Sequence, residues 1–186
     1  MTKVISMHHH IILPLAVGRG GMGKKWREGD GITPLGRWCI DHVLFRADRV
    51  AAPATALPLY PIAPPDIWVD DPAAAHYNQP LTRGGAGMVG RAVRHNGVIN
   101  FSHEQLWRAD DVYNLVAVLD YNLRPVVAGR GSAIFIHLAR PLAAGGFAPT
   151  EGCLALAEHD LRHLLAQVGR DGAIEITSDG VWVENR

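Results

Sequence analysis

A histidine that closes an apolar run and a cysteine sixteen residues beyond it are the two side chains best suited to chemistry. His137 ends the run Ser132-Ala133-Ile134-Phe135-Ile136-His137, and Cys153 ends Thr150-Glu151-Gly152-Cys153. A thiol attacks as its thiolate, and a nearby imidazole can take or stabilise its proton. Gly152 leaves the backbone beside the sulfur open to a carbonyl. Thr150 offers a hydroxyl and local backbone amides as donors to an oxyanion. Together these residues would suit acyl transfer through a thioester. Spacing alone leaves the question open, because a core cysteine near an unrelated histidine has the same signature.

Other chemistry-bearing patterns carry less. His159-Asp160-Leu161-Arg162-His163 places two histidines at i and i+4. That echoes the zinc-protease H-E-x-x-H, with Asp for Glu, and makes a zinc hydrolase the alternative from another class. At about 100° per residue, however, both histidines lie opposite the stripe Leu161, Leu164, Leu165 and Val168, away from any lined cleft. Gly85-Ala86-Gly87-Met88-Val89-Gly90 matches the dinucleotide fingerprint, yet no strand precedes it and Asn96-Gly97 follows where a helix is needed. His8-His9-His10 alternate faces in an extended chain and cannot converge on a metal. Asp70-Asp71 reads as a solvated pair or a cap. Trp68, Tyr77 and Trp107 are either groove lining or ordinary packing. No metal site is expected.

The elements that must hold these residues are mostly strands. Residues 11–17, 37–45, 112–121 and 132–138 are apolar enough for strands, the last two on both faces. Residues 157–168 form the one convincing helix. Ile174-Glu175-Ile176 and Val181-Trp182-Val183 suggest a closing hairpin. Five prolines between 51 and 65 predict a loop or an edge segment. Residues 72–100 read as irregular, so 46–100 is expected to be a loop-rich insertion within one domain of 186 residues.

Composition narrows the partners. Lys+Arg and Asp+Glu are both 18, so the formal net charge is zero, which disfavours a life on phosphate contacts with nucleic acid. Two cysteines make no disulfide framework. Cys39, within Trp38-Cys39-Ile40, reads as a small buried hydrophobe. No stretch approaches the ~18 apolar residues of a membrane span. The short run Ile11–Val17, broken by Pro14, lacks the features of a secretory signal, so a cytoplasmic location is expected, or a periplasmic one if a leader was removed.

The cysteine loop resembles that of the L,D-transpeptidase (YkuD) family. There a strand-borne histidine precedes Ser/Thr-x-Gly-Cys, followed by a short apolar stretch and a helix. Here the matching residues are Gly131 to His137, Thr150-Glu151-Gly152-Cys153-Leu154-Ala155-Leu156, and the helix with Asp160-Leu161 and Leu164-Leu165. Gly29-Asp30-Gly31-Ile32-Thr33-Pro34-Leu35-Gly36 is similar to the family's Thr-Pro-x-Gly turn. The resemblance spans roughly 11–45 and 112–177.

That resemblance implies a mainly β fold, a twisted sandwich with one principal helix and the nucleophile at a cleft rim. It implies Cys153 as nucleophile, His137 as base and no cofactor. The partners would be peptidoglycan stem peptides or soluble muropeptides, with a carbapenem able to acylate Cys153. Three positions depart from the family: Glu151 replaces its His, Ala155 its Arg, and Leu138 its Gly. Arg140 and Arg130 are candidates to replace the missing arginine, with Glu151 and Ser132 as further substrate contacts. The absence of a recognisable leader and of an acceptor site favours an L,D-carboxypeptidase of murein recycling. The alternatives are an exported cross-linking transpeptidase and an inactive murein-binding module.

Overall fold

The computed structural model describes residues 3–6, 12–83, 93–95 and 99–184. In chain order its elements are β1 (Lys3–Ser6), β2 (Ile12–Ala16), β3 (Met22–Gly23), β4 (Thr33–Pro34), β5 (Gly36–Phe45), β6 (Leu59–Pro61), β7 (Asp66–Val69), β8 (Pro80–Arg83), β9 (Val93–His95), β10 (His103–Gln105), β11 (Leu115–Leu119), β12 (Phe135–Leu138), β13 (Leu154–Leu156), α1 (Glu158–Gln167), β14 (Ala173–Ile176) and β15 (Val181–Glu184). The protein is mainly β, with one helix among the described residues.

Nine strands form a mixed sheet in the order β11-β12-β13-β2-β1-β15-β14-β5-β6, and a further β11–β5 pairing curls it back on itself. The expected strands hold, with trimmed ends. The run from 132 begins its ladder only at Phe135, because Ala133 is in the left-handed region at φ 51°. The proline-rich segment supplies β6 at the sheet edge, where a missing N–H costs no ladder bond.

Alternation decides which side chains meet. Ile136 and Leu138 of β12, Leu115, Ala117 and Leu119 of β11, and Leu154 and Leu156 of β13 point to one core. The helix stripe Leu161, Leu164, Leu165 and Val168 packs into that same core. Burying each leucine there is worth roughly 1.5–3 kcal/mol. The other face presents Val116, Val118, Phe135 and Cys153 to a second core.

The second core is covered by Ile62, Trp68, Leu106 and Tyr113. β10, β7, β8 and β9 pair into a four-stranded sheet. Trp68 of β7 is 1% exposed and meets Phe135 edge-on at 5.0 Å between centroids. Three- and four-residue strands carry almost no periodicity of their own, which is why the sequence hides them.

Candidate active site

β12 and β13 are parallel neighbours with His137 opposite Ala155 and Ile136 opposite Leu154. Residues two apart on a strand share a face, as do register partners across it. Cys153, two before Ala155, therefore shares a face with Phe135 and His137. The Phe135 N–H donates to Cys153 Sγ at 3.4 Å. α1 lies against the opposite face, so the Cys–His pair and the helix histidines are separated by the sheet.

The cysteine loop is pinned on several sides. Thr150 Oγ1 donates to the Cys153 carbonyl at 2.6 Å and accepts the Gly152 N–H at 3.2 Å. Its own N–H donates to the Val17 carbonyl at 3.0 Å. Thr150 is thus spent on shaping the loop, and its hydroxyl is not free for an oxyanion as expected. Thr33, from the Thr-Pro-x-Gly turn, donates to the same Cys153 carbonyl at 3.3 Å and accepts the Gly18 N–H at 2.8 Å. Gly152 is glycine for a protein-side reason: its φ is 141°, and a Cβ there would lie 3.1 Å from the Ile32 carbonyl oxygen.

Two cavities open on Cys153. The larger, of about 490 Å³, is lined by His137, Tyr113, Glu104, Arg108, Arg140 and Ala155 among others. The smaller, of about 280 Å³, is lined by Lys25, Glu28, Asp70, Glu104, Ser132 and Ala133 among others. Glu104, Glu151 and Cys153 border both.

Burial sets the protonation of the pair. It pushes the Cys153 thiol up to about 12, helped by the nearby Glu104 charge and opposed by the Phe135 N–H and Lys25. It pushes His137 down to about 4, although the contact of Nδ1 with the Leu138 carbonyl at 2.9 Å opposes this. That contact makes Nδ1 the protonated nitrogen of the neutral ring and leaves Nε2 as the basic one. A thiolate–imidazolium pair is not favoured in this geometry. Both groups are desolvated together, which penalises the charged form of each.

The other expected residues divide. Arg140 lines the larger cavity and pairs with Asp110 at 3.2 Å. Arg130 lines neither cavity; its carbonyl accepts the Tyr121 hydroxyl at 2.6 Å. Glu151 is exposed and ion-paired with Arg19 at 2.7 Å. Ser132 is buried, its hydroxyl donating to Glu28 at 2.8 Å. Trp68, Tyr77 and Trp107 pack or are covered, Trp107 by the Arg46 guanidinium 3.5 Å above its ring, and none lines either cavity. Asp71 caps a turn through the Ala73 N–H at 2.9 Å, while Asp70 borders the smaller cavity. Cys39 is half-buried in β5 opposite Ala173.

His159 is largely solvent-exposed beside Asp160, and His163 contacts Gln167 at 2.9 Å. Among the described residues, no three His, Cys, Asp or Glu side chains group as metal ligands. The glycine fingerprint at 85–90 and His8–His10 lie outside the described residues.

Sequence reasoning missed several cavity residues. Tyr113 sits edge-on to His137, 5.5 Å between centroids, and its hydroxyl donates to Glu104. Burial raises both the Glu104 carboxyl and the Tyr113 phenol above their ordinary ranges. Arg108 reaches the same cavity from the chain after β10 and holds Asp110 through two bonds of 2.7 Å. Lys25 is buried and donates to Asp30 at 2.6 Å. No helix is long and apolar enough to cross a membrane among the described residues.

A family model described as YkuD, the L,D-transpeptidase catalytic domain, matches residues 9–176. No curated protein and no solved structure matches the chain.

Proposed function

The chain belongs to the YkuD family of L,D-transpeptidase catalytic domains, which carry out cysteine acyl transfer on peptidoglycan, and from that premise we propose that Cys153 is its nucleophile and His137 its base. One observation carries the assignment: the two side chains share a face of adjacent parallel strands and border one cavity. The sulfur attacks the carbonyl carbon of the third stem residue as His137 Nε2 takes its proton. The tetrahedral intermediate collapses, the L,D C–N bond breaks, and His137 returns the proton to the leaving D-amino acid. A thioester remains on Cys153, and an acceptor resolves it.

Water is the acceptor favoured here, which makes the protein chiefly an L,D-carboxypeptidase acting on soluble tetrapeptide muropeptides. The support is size: the cavity of about 280 Å³ beyond the sulfur lies below the ~300–1,000 Å³ of ordinary ligand pockets and suits a small acceptor better than a second stem. Recycling of murein fragments in the cytoplasm is the matching setting.

The test is incubation with a disaccharide-tetrapeptide and mass analysis over time. Tripeptide plus a free D-amino acid supports hydrolysis; cross-linked dimers as the main product would favour an exported cross-linker. A carbapenem should add one drug equivalent to the intact mass, and the addition should be lost in Cys153→Ala. A zinc hydrolase would instead lose activity to a chelator and keep it in Cys153→Ala.

A further inference from the structure

One side chain from the second sheet region reaches the nucleophile's surroundings. Asn78 is 1% exposed and uses its whole hydrogen-bonding capacity. Its Oδ1 accepts the Ala133 N–H at 3.0 Å and the Trp68 indole N–H at 2.9 Å. Its Nδ2 donates to the carbonyls of Tyr121 at 3.2 Å and Asn122 at 2.8 Å. Ala133 is the residue that leaves the strand conformation, at φ 51°. A side-chain-bearing residue rarely adopts that conformation unless its surroundings impose it. The Ala133 carbonyl in turn accepts the Cys153 thiol at 3.1 Å.

We propose that Asn78 is a positioning residue for Cys153, acting through Ala133. By gripping the Ala133 N–H it holds that residue in the left-handed region, so that its carbonyl faces the sulfur and the chain re-enters β12 with the Phe135 N–H on Sγ. The two contacts pull in opposite directions. The carbonyl stabilises the protonated thiol, and the N–H stabilises the thiolate. Asn78 thereby fixes where the sulfur waits and which donor meets it once its proton has gone to His137. The assignment rests on Cys153 being the nucleophile.

Asn78→Gly tests it, because Asn78 itself lies at φ 55° and glycine keeps that backbone while deleting the side chain. Turnover should fall about tenfold at unchanged KM, the loss expected from the bond to the Ala133 N–H, the one of the four that reaches the residue contacting the sulfur. The pH midpoint of Cys153 alkylation by iodoacetamide should drop by at least about half a unit, since the shorter contact, to the Ala133 carbonyl, is the one that favours the thiol. Cys39 alkylation should not change. Adding Ala133→Gly, which adopts the left-handed conformation unaided, should return both readouts toward the parent. Where Asn78→Gly alone does not fold, the double variant is measured, and a parental alkylation profile is expected.

A parental profile and turnover in Asn78→Gly, or a double variant with a profile shifted as far as in the single one, overturns the proposal. Alkylation needs no substrate, so it reads out whichever acyl donor the enzyme uses. If Cys153 were not the nucleophile, Cys153→Ala would keep its turnover, a result separate from either outcome.

Discussion

The Cys153 thiol donates to the Ala133 carbonyl at 3.1 Å while the Phe135 N–H approaches the same sulfur at 3.4 Å. The proposed nucleophile is held between an acceptor and a donor, two residues apart on the chain that leads to His137. Its proton has a place in the protein before any substrate binds, which ties reactivity to local geometry.

Cys153→Ala should abolish product formation and leave the fold intact, because only the sulfur is lost from a buried position. Cys39→Ala should keep most activity, since Cys39 lies in β5 and borders neither cavity. Product mass spectra and melting curves of both variants check this. Turnover by Cys153→Ala would end the thioester mechanism.

Alkylation of Cys153 should climb steadily from neutral to strongly alkaline pH, without a plateau near pH 7. With the thiol pushed up to about 12 and the imidazole down to about 4, both are neutral in between. His137→Ala should therefore cost turnover about 10²–10⁴-fold, the usual worth of a general acid–base, and change alkylation far less. A plateau at neutral pH would reveal a thiolate–imidazolium pair.

Stability should fall on acidification in two windows. His137 has a folded pKa lowered from 6.5 to about 4, so the unfolded chain binds more protons between those values, and stability drops as pH falls through 6.5 toward 4. Asp30 follows. Burial would raise its carboxyl, but Lys25 and the amides of Ile32, Trp26 and Arg27 outweigh that and hold it at about 2. Its contribution is present above the unfolded value of 3.8 and is lost as pH falls toward 2. Urea midpoints across this range check both windows. Asp30→Asn should shrink only the lower one, to which Asp48 and Asp110, held below the usual carboxylate range by Arg46 and Arg108, also contribute.

Ala155→Leu should fill the larger cavity beside His137. Ala155 is 1% exposed and stands opposite His137 in the ladder. We expect KM for a tetrapeptide stem to rise about tenfold or more, with a packing cost of about 1–3 kcal/mol. Alkylation by small iodoacetamide should barely change. An unaltered KM would remove that cavity as the stem site.

Local pattern was enough for part of this protein. The helix at 158–167 was legible from the spacing of Leu161, Leu164 and Leu165, because a 3.6-residue period is written in the chain itself. β11 and β12 were legible from nearly unbroken apolar runs. Cys153 and His137 were legible as a pair because the loop and strand that carry them are contiguous segments with recognisable residues.

The four-stranded sheet of β7, β8, β9 and β10 was not legible, nor were the residues it delivers. Pro80 begins a strand whose ladders exist only because β7 and β9 lie beside it. Glu104 and Asn78 look like ordinary polar residues until Tyr113, Trp68 and Ala133 close around them. The protonation of the pair was decided at the same level. Sequence placed an imidazole near a thiol, and adjacency alone favours an ion pair. Only the tertiary structure removed water from both at once, and desolvation penalises charge more than this geometry repays it.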